Sequence, residues 1–459
     1  MRTSRVMSVV GRRRLLRAAW IAGACAALSG ALLWPLFTLT PLRATEVGPF
    51  AHSLVTPAEA LAATRRAHPE ASWPMFGGSP ARVRYVTSDL RPPFRIAQSI
   101  RGESLLEMPP AVSQGLLVFG NHDGRVIAAR TSDGARVWST DLHGCIASSP
   151  AVRAGIVYIG WSGPAPCRRR KDRTGGVVAL ALHTGKILWR FSPGNVEASP
   201  AIVANRLFFS SFQSRRESRV YAMRLGPDRR IVWSQMLPTK VASSPALLGR
   251  RLYISAYDRR VYSFDAWNGR LRWRTSAFAD DAETRVLMGL RSLVRRRSWW
   301  EGGYYATPAV AYGRIYLGVI DGVFSAFDAH TGVHRWSRKL EGSIYGSAAV
   351  WNDTVYVGTT SGTFYALSAL TGRPRWQQYL GGKILGSPTV TNGRVYVSTT
   401  SREAVALDAR TGAELWRFWD GYYSPLVVAG SRGFLVGKGR IYILENAAPV
   451  GWSRGLRAS

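Results

Sequence analysis

Apolar and polar residues alternate along most of this chain in short runs, as in Arg314-Ile315-Tyr316-Leu317-Gly318 and Gly322-Val323-Phe324-Ser325-Ala326-Phe327. A period of two puts successive side chains on opposite faces of a pleated strand, whereas a helix would return an apolar residue every three or four positions. The runs therefore predict strands. Asp123-Gly124, Asp321-Gly322, Ser361-Gly362 and Asn392-Gly393 separate them, with glycine where a tight hairpin needs positive φ. Pro150, Pro200, Pro245, Pro308, Pro388 and Pro425 open the first run of their units, where a missing N–H costs least. Each unit reads as a meander of four strands, A to D.

The meander recurs. Trp138, Trp189, Trp233, Trp273, Trp336, Trp376 and Trp416 each end a unit, and the last three are 40 residues apart. That period suits a four-stranded blade of ~40 to 45 residues. A lone sheet of this size would leave two faces and two edges in water, while a radial array buries the faces against neighbours. The tryptophans are expected to fill the wedges between blades, each held at its angle by its Thr-Gly turn. After Trp416 a further unit begins at Tyr423-Ser424-Pro425 and runs through Arg440-Ile441-Tyr442-Ile443-Leu444 without a Thr-Gly-Trp ending. Upstream, Pro93-Phe94-Arg95-Ile96 reads as an orphan fourth strand with Phe94 in place of tryptophan. The expected fold is all-β: an eight-bladed propeller over residues 71–448, closed by one strand from each terminus.

The segments Phe264-Asp265-Ala266-Trp267-Asn268-Gly269-Arg270-Leu271-Arg272-Trp273, Phe327-Asp328-Ala329-His330-Thr331-Gly332-Val333-His334-Arg335-Trp336 and Leu407-Asp408-Ala409-Arg410-Thr411-Gly412-Ala413-Glu414-Leu415-Trp416 resemble the tryptophan-docking repeat of pyrroloquinoline-quinone-type propellers. That family includes quinoprotein dehydrogenases and the propeller lipoprotein of the outer-membrane β-barrel assembly machinery. The resemblance implies the fold; function must come from the site. A dehydrogenase of this class would hold calcium on carboxylate and Asn oxygens and stack its quinone in the channel against adjacent cysteines. No Cys-Cys pair occurs here, and Asp265, Asp328 and Asp408 fall in turns, where side-chain bonds to backbone N–H groups are the expected use. No catalytic residue carries over, so no cofactor is expected, and the quinone with calcium stays as the alternative.

Other chemistry is not signalled. His122, His143, His183, His330 and His334 show no zinc-ligand spacing, and neither a Gly-x-Ser-x-Gly elbow nor a phosphate loop is present. The channel mouth is the remaining candidate. Tyr305, Tyr345 and Tyr423, with Glu197 and Lys240, stand just before strand A in their units and should gather around the axis. They could bind a peptide or small ligand, or simply seal the channel.

Residues 18–42 contain no charge and follow Arg2, Arg5, Arg12, Arg13, Arg14 and Arg17. The run exceeds both the ~20 residues needed to cross a bilayer and the about 7 to 15 of a signal-peptide core. It reads as a transmembrane signal anchor, with basic residues 1–17 in the cytoplasm and the propeller extracytoplasmic. Cleavage near Leu42-Arg43-Ala44 and lipidation at Cys25 are the alternatives; the first has a poor small-x-small pattern, and Ala22-Gly23-Ala24 lacks the large aliphatic residue of a lipidation site. Residues 43–70 suit a tether, and residues 449–459 form a tail.

An exported domain meets oxidising conditions, so Cys145 and Cys167 are expected to pair; two free thiols are the alternative. The formal charge of +33 permits anionic partners. Its arginines are scattered through every blade without a nucleic-acid motif, so a basic solvated surface and no nucleic-acid partner are expected. One insertion interrupts the repeat: Val286, Leu287, Leu290, Leu293 and Val294 have helical spacing between an Asp280/Glu283 capping box and Arg295-Arg296-Arg297, with Trp299-Trp300 following. Such a basic amphipathic helix over 280–300 could dock on a membrane or partner, or pack on the propeller. The expected whole is a membrane-anchored, noncatalytic binding or scaffold module for envelope or membrane proteins, of open oligomeric state. A quinone-dependent oxidoreductase is the competing class.

Overall fold

The computed structural model describes Thr56 and residues 71–167, 174–276, 303–423 and 426–447. These fall in the second of two units, Met1–His52 and Ser53–Ser459. The apolar stretch 18–42, the segment 280–300 and the tail 449–459 lie outside the described residues. Among those described there is no helix, and so none long and apolar enough to cross a membrane.

Eight four-stranded antiparallel blades form the fold, seven of them from four successive strands. In the fifth, Ala309–Ala311, Arg314–Gly318, Val323–Asp328 and His334–Lys339 pair in order, and burial falls from complete in the first strand to largely exposed in the last. The apolar alternation is thus spent on sheet faces that meet neighbouring blades, as radial packing requires. Three sheets carry an added strand: Ala71–Trp73 in the first, Gly144–Cys145 in the second and Tyr85–Val86 in the seventh. A disulfide joins Cys145 to Cys167, with Cα atoms 4.8 Å apart.

The ring closes as the sequence predicts. Leu426–Ala429, Arg432–Val436 and Arg440–Asn446 form the eighth sheet, and Phe94–Arg101 completes it as the antiparallel outer strand. One detail differs. In the other blades the tryptophan sits beside a one-residue slip, with Ala128 facing Trp138 and Ala129 facing Arg136. In the closing sheet the same slip puts Gln98 opposite Ile443 and Ile96 opposite Leu444. Gln98, not Phe94, therefore occupies the tryptophan position.

The tryptophans lie between blades, but the turn that accepts the indole N–H of Trp138, Trp233, Trp336 and Trp376 belongs to the following blade rather than their own. Trp138 Nε1 donates to Leu182 O (2.7 Å), Trp233 to Ala266 O (3.0 Å), Trp336 to Ala369 O (3.1 Å) and Trp376 to Ala409 O (3.0 Å). Gly372, in the sixth blade, has φ +68°, and a Cβ there would come within 2.5 Å of the Trp336 ring. Glycine is required twice over, for the left-handed backbone and for the ring's approach. The turn aspartates act as expected: Asp328 Oδ1 accepts the N–H groups of His330 (2.9 Å) and Thr331 (2.8 Å), and Asp408 repeats the pattern with Arg410 and Thr411.

A hydroxyl residue just before strand A, followed by proline except at Ser347-Ala348, ties the blades together near the axis. Ser149 N donates to Ser199 Oγ (2.9 Å), Ser199 N to Ser244 Oγ (2.9 Å), Ser244 N to Thr307 Oγ1 (3.0 Å), Thr307 N to Ser347 Oγ (3.0 Å) and Ser347 N to Ser387 Oγ (2.9 Å). This belt runs from the second blade to the seventh. In the first blade Pro109 holds the corresponding place and has no N–H to give, and Ser149 Oγ is left buried without a partner.

Candidate functional site

The inner edge of a propeller is a ring of strand edges whose N–H and C=O groups need partners. Here the chain supplies them itself. Residues 73–86 run along the inner wall, accepting N–H bonds from Val152 at Pro74 O (2.8 Å), Leu247 at Pro80 O (2.8 Å), Val310 at Ala81 O (2.9 Å), Val350 at Val83 O (2.9 Å) and Val390 at Arg84 O (2.9 Å). Tyr85–Val86 then runs parallel to Thr389–Thr391 before the chain leaves for the outer edge of the eighth blade.

Arg82 and Arg84 alternate in this inner strap and are both wholly buried. Arg82 donates from Nε to Pro245 O (2.9 Å), from Nη2 to Pro200 O (3.1 Å) and Ser199 O (3.3 Å), and from Nη1 to Phe76 O. Arg84 donates from Nε to Pro388 O (2.6 Å) and from Nη2 to Thr389 Oγ1 (3.4 Å), while its Nη1 has no partner. The Phe76 ring lies 5.6 Å from the Arg82 guanidinium and 5.0 Å from that of Arg84. Burial, joined for Arg82 by the neighbouring Arg84 charge, lowers both groups to about 9. Both stay charged near neutral pH. The repeat reading assigned this strap no role, although two arginines two residues apart in Ala81-Arg82-Val83-Arg84-Tyr85, where a core-facing strand should be apolar, were its signal.

Tyr305, Tyr345, Tyr423 and Glu197 come together around one cavity at the mouth, where Phe76, Glu107 and Met108 also line it. Glu197, Tyr305 and Tyr345 stand two residues before Ser199, Thr307 and Ser347, and Tyr423 directly precedes Ser424, so their nearly equal phase before strand A explains the convergence: in a radial repeat it means a similar distance from the axis. Tyr305 and Tyr345 meet edge to face at 5.8 Å, and Tyr257 follows Tyr305 at 6.5 Å. Tyr423 packs on Tyr422 at 4.5 Å; burial, the Tyr422 ring and the Glu107 charge push its hydroxyl up to about 12. Lys240 is outside the cavity lining. Its Nζ bonds Glu197 Oε2 (3.2 Å) and stands 4.1 Å over the Phe212 ring. Glu107 Oε2 is 2.7 Å from His122 Nε2.

Both carboxylates at the mouth are therefore engaged, and the Tyr423 phenol stays protonated through the neutral range. The arrangement suits stacking and hydrogen bonding. A quinone with calcium does not fit the residues present: the cavity is about 80 Å³, against roughly 300–1,000 Å³ for small-molecule sites. Among the described residues no three His, Cys, Asp or Glu side chains stand together as an ion site.

The sequence profile of the family described as outer membrane protein assembly factor BamB matches residues 21–165, 173–295 and 321–454. The chain belongs to this family. Its structure is similar to crystal structures of BamB from Moraxella catarrhalis (TM-score 0.60, 17% identity, 77% of this chain and 99% of that one) and of quinohemoprotein alcohol dehydrogenase from Comamonas testosteroni (TM-score 0.65, 14% identity, 88% and 86%). A europium-containing methanol dehydrogenase is similar at TM-score 0.64 and 12% identity, over 84% of this chain and 100% of that one. At such identities the likeness is of fold, and all are propellers of the quinone type expected from the repeat. No curated protein sequence matches.

Proposed function

We propose that this BamB-family chain is a noncatalytic binding or scaffold module for other envelope or membrane proteins. In this reading residues 18–42 anchor it in the cell membrane as a single pass, with the propeller on the extracytoplasmic side, and it works without a cofactor, nucleic acid or metal. The observation that carries the reading is the channel: its wall is occupied by the chain's own residues 73–86, and its mouth offers tyrosines beside carboxylates already paired. Such a mouth can stack and hydrogen-bond without supplying a base or nucleophile. Membership in the assembly-factor family favours a protein partner.

A photocrosslinker at position 345 in native membranes tests this. A discrete adduct with an envelope protein, lost when Tyr305 and Tyr423 become Ala, is the expected result; no adduct from the mouth would contradict it. The second reading, a quinone-dependent oxidoreductase, draws on the similarity in fold to the alcohol and methanol dehydrogenases. It requires a quinone to enter a cavity of about 80 Å³.

A further inference from the structure

A second recess opens between the seventh and eighth blades, built from the loops and turns at the same end of the sheets as the mouth. It is a groove of about 510 Å³ lined by Arg101, Arg402, Lys438 and Arg440, by Trp419, and by Glu103 and Asp420. Trp419 is 65% exposed, with its ring 5.1 Å from Phe418 and 6.0 Å from Tyr442. Trp and Arg are among the side chains most enriched as contact anchors.

The groove is built rather than incidental. Asp420 is 3% exposed and fixes its walls: Oδ1 accepts Arg402 Nη2 (3.3 Å) and the backbone N–H of Lys438 (3.4 Å), and Oδ2 accepts the Tyr442 hydroxyl (2.8 Å). A Cβ at Gly437 would fall 2.3 Å from Asp420 Oδ2, so the turn can approach only as glycine. Across the groove, Gly102 N and Leu106 N bond Gly439 O (2.9 Å) and Lys438 O (3.1 Å). Glu103 turns to Arg125 (3.6 Å) and Arg136 (2.5 Å). Glu103 is thus spent on Arg125 and Arg136 and Asp420 on Arg402, which leaves Arg101, Lys438 and Arg440 as the groove cations not neutralised by these two carboxylates.

We infer that this groove binds an acidic peptide segment of a partner protein, with an apolar side chain of the segment on Trp419 and its carboxylates on Arg101, Lys438 and Arg440. Arg101 faces Arg440 across the closing sheet and Lys438 lies two residues before Arg440, beside the exposed Trp419 ring. Cations beside an apolar ring suit a segment that carries both carboxylates and an apolar side chain better than a single phosphate, which would leave the ring uncovered. The surface is separate from the mouth and does not depend on it.

The test uses the full-length chain in detergent micelles and a fluorescein-labelled peptide, Asp-Glu-Phe-Asp-Glu, read by anisotropy. Binding should weaken with salt. It should also fall about tenfold, worth ~1.4 kcal/mol, in Trp419→Ala and again in the pair Arg101→Glu with Lys438→Glu. Trp419→Phe should retain most of it, and Tyr345→Ala all of it. Unchanged binding in the groove variants would overturn the inference. So would displacement of the peptide by millimolar inorganic phosphate or by phosphatidylglycerol vesicles. Crosslinking from position 345 is read separately, so failure of the groove and failure of the mouth are distinguishable.

Discussion

Phe94 stands edge-on to Trp416, ring centroids 5.0 Å apart at 78°. Elsewhere a blade's tryptophan docks on the C–D turn of the next blade. Between Arg440–Asn446 and Phe94–Arg101 there is no such turn, because the two strands come from opposite ends of the propeller sequence. Phe94 replaces the missing turn and not a missing tryptophan. Phe94→Ala should cost roughly 1–3 kcal/mol, since the ring is part-buried and its loss exposes Trp416 at the closure. Urea unfolding measures this; a change below about 0.5 kcal/mol would place closure energy elsewhere.

The belt of hydroxyls near the axis gives a paired prediction. Ser244→Ala removes the acceptor of a buried N–H at Ser199 and should cost about 1–3 kcal/mol, while Ser149→Ala removes a hydroxyl that accepts nothing and should cost far less. Ser244→Thr should behave like the native chain, because Thr307 already serves in the belt. Equal losses at 244 and 149 in thermal unfolding would contradict the belt's role.

Arg82 and Arg84 separate along similar lines. Removing Arg82 leaves four carbonyl contacts without a donor, whereas removing Arg84 discards a buried charge that has one orphaned nitrogen. Arg82→Met should therefore destabilise by about 1–3 kcal/mol, and Arg84→Met should be clearly milder or stabilising. Denaturant midpoints of the two variants decide it, and a larger loss at 84 than at 82 would be the contrary result.

Acid stability depends on the turn aspartates. Burial alone would raise the Asp265 carboxyl, but Arg272, the N–H groups of Trp267 and Asn268, and the Arg250 charge outweigh it and bring it from 3.8 down to about 2. A carboxylate lowered on folding contributes stability that is complete above the unfolded value and fades as pH falls through the folded one. Asp265→Asn should thus lower the melting temperature at pH 7, and the gap from the native chain should shrink between pH 4 and about 2. A gap constant over that window would remove the electrostatic origin.

The blade count, the ring closure and the convergence of Tyr305, Tyr345, Tyr423 and Glu197 were legible because the repeat makes sequence phase equivalent to position about the axis. Phe94 was misassigned because a one-residue slip in pairing, invisible in the residues, shifts the tryptophan position to Gln98. The strap 73–86 escaped notice for a different reason. It belongs to no repeat, and its partners are distant in the chain, 305 residues away between Arg84 and Thr389. The groove at Trp419 was hidden likewise, since loops from two blades and the closing strand meet there.

Binding of pyrroloquinoline quinone with calcium to the purified full-length chain, followed by calorimetry and by dye reduction on alcohols or sugars, is the most direct measurement. A propeller whose inner wall is filled by its own residues 73–86 should show neither tight binding nor reduction. Tight binding accompanied by turnover would contradict a noncatalytic module.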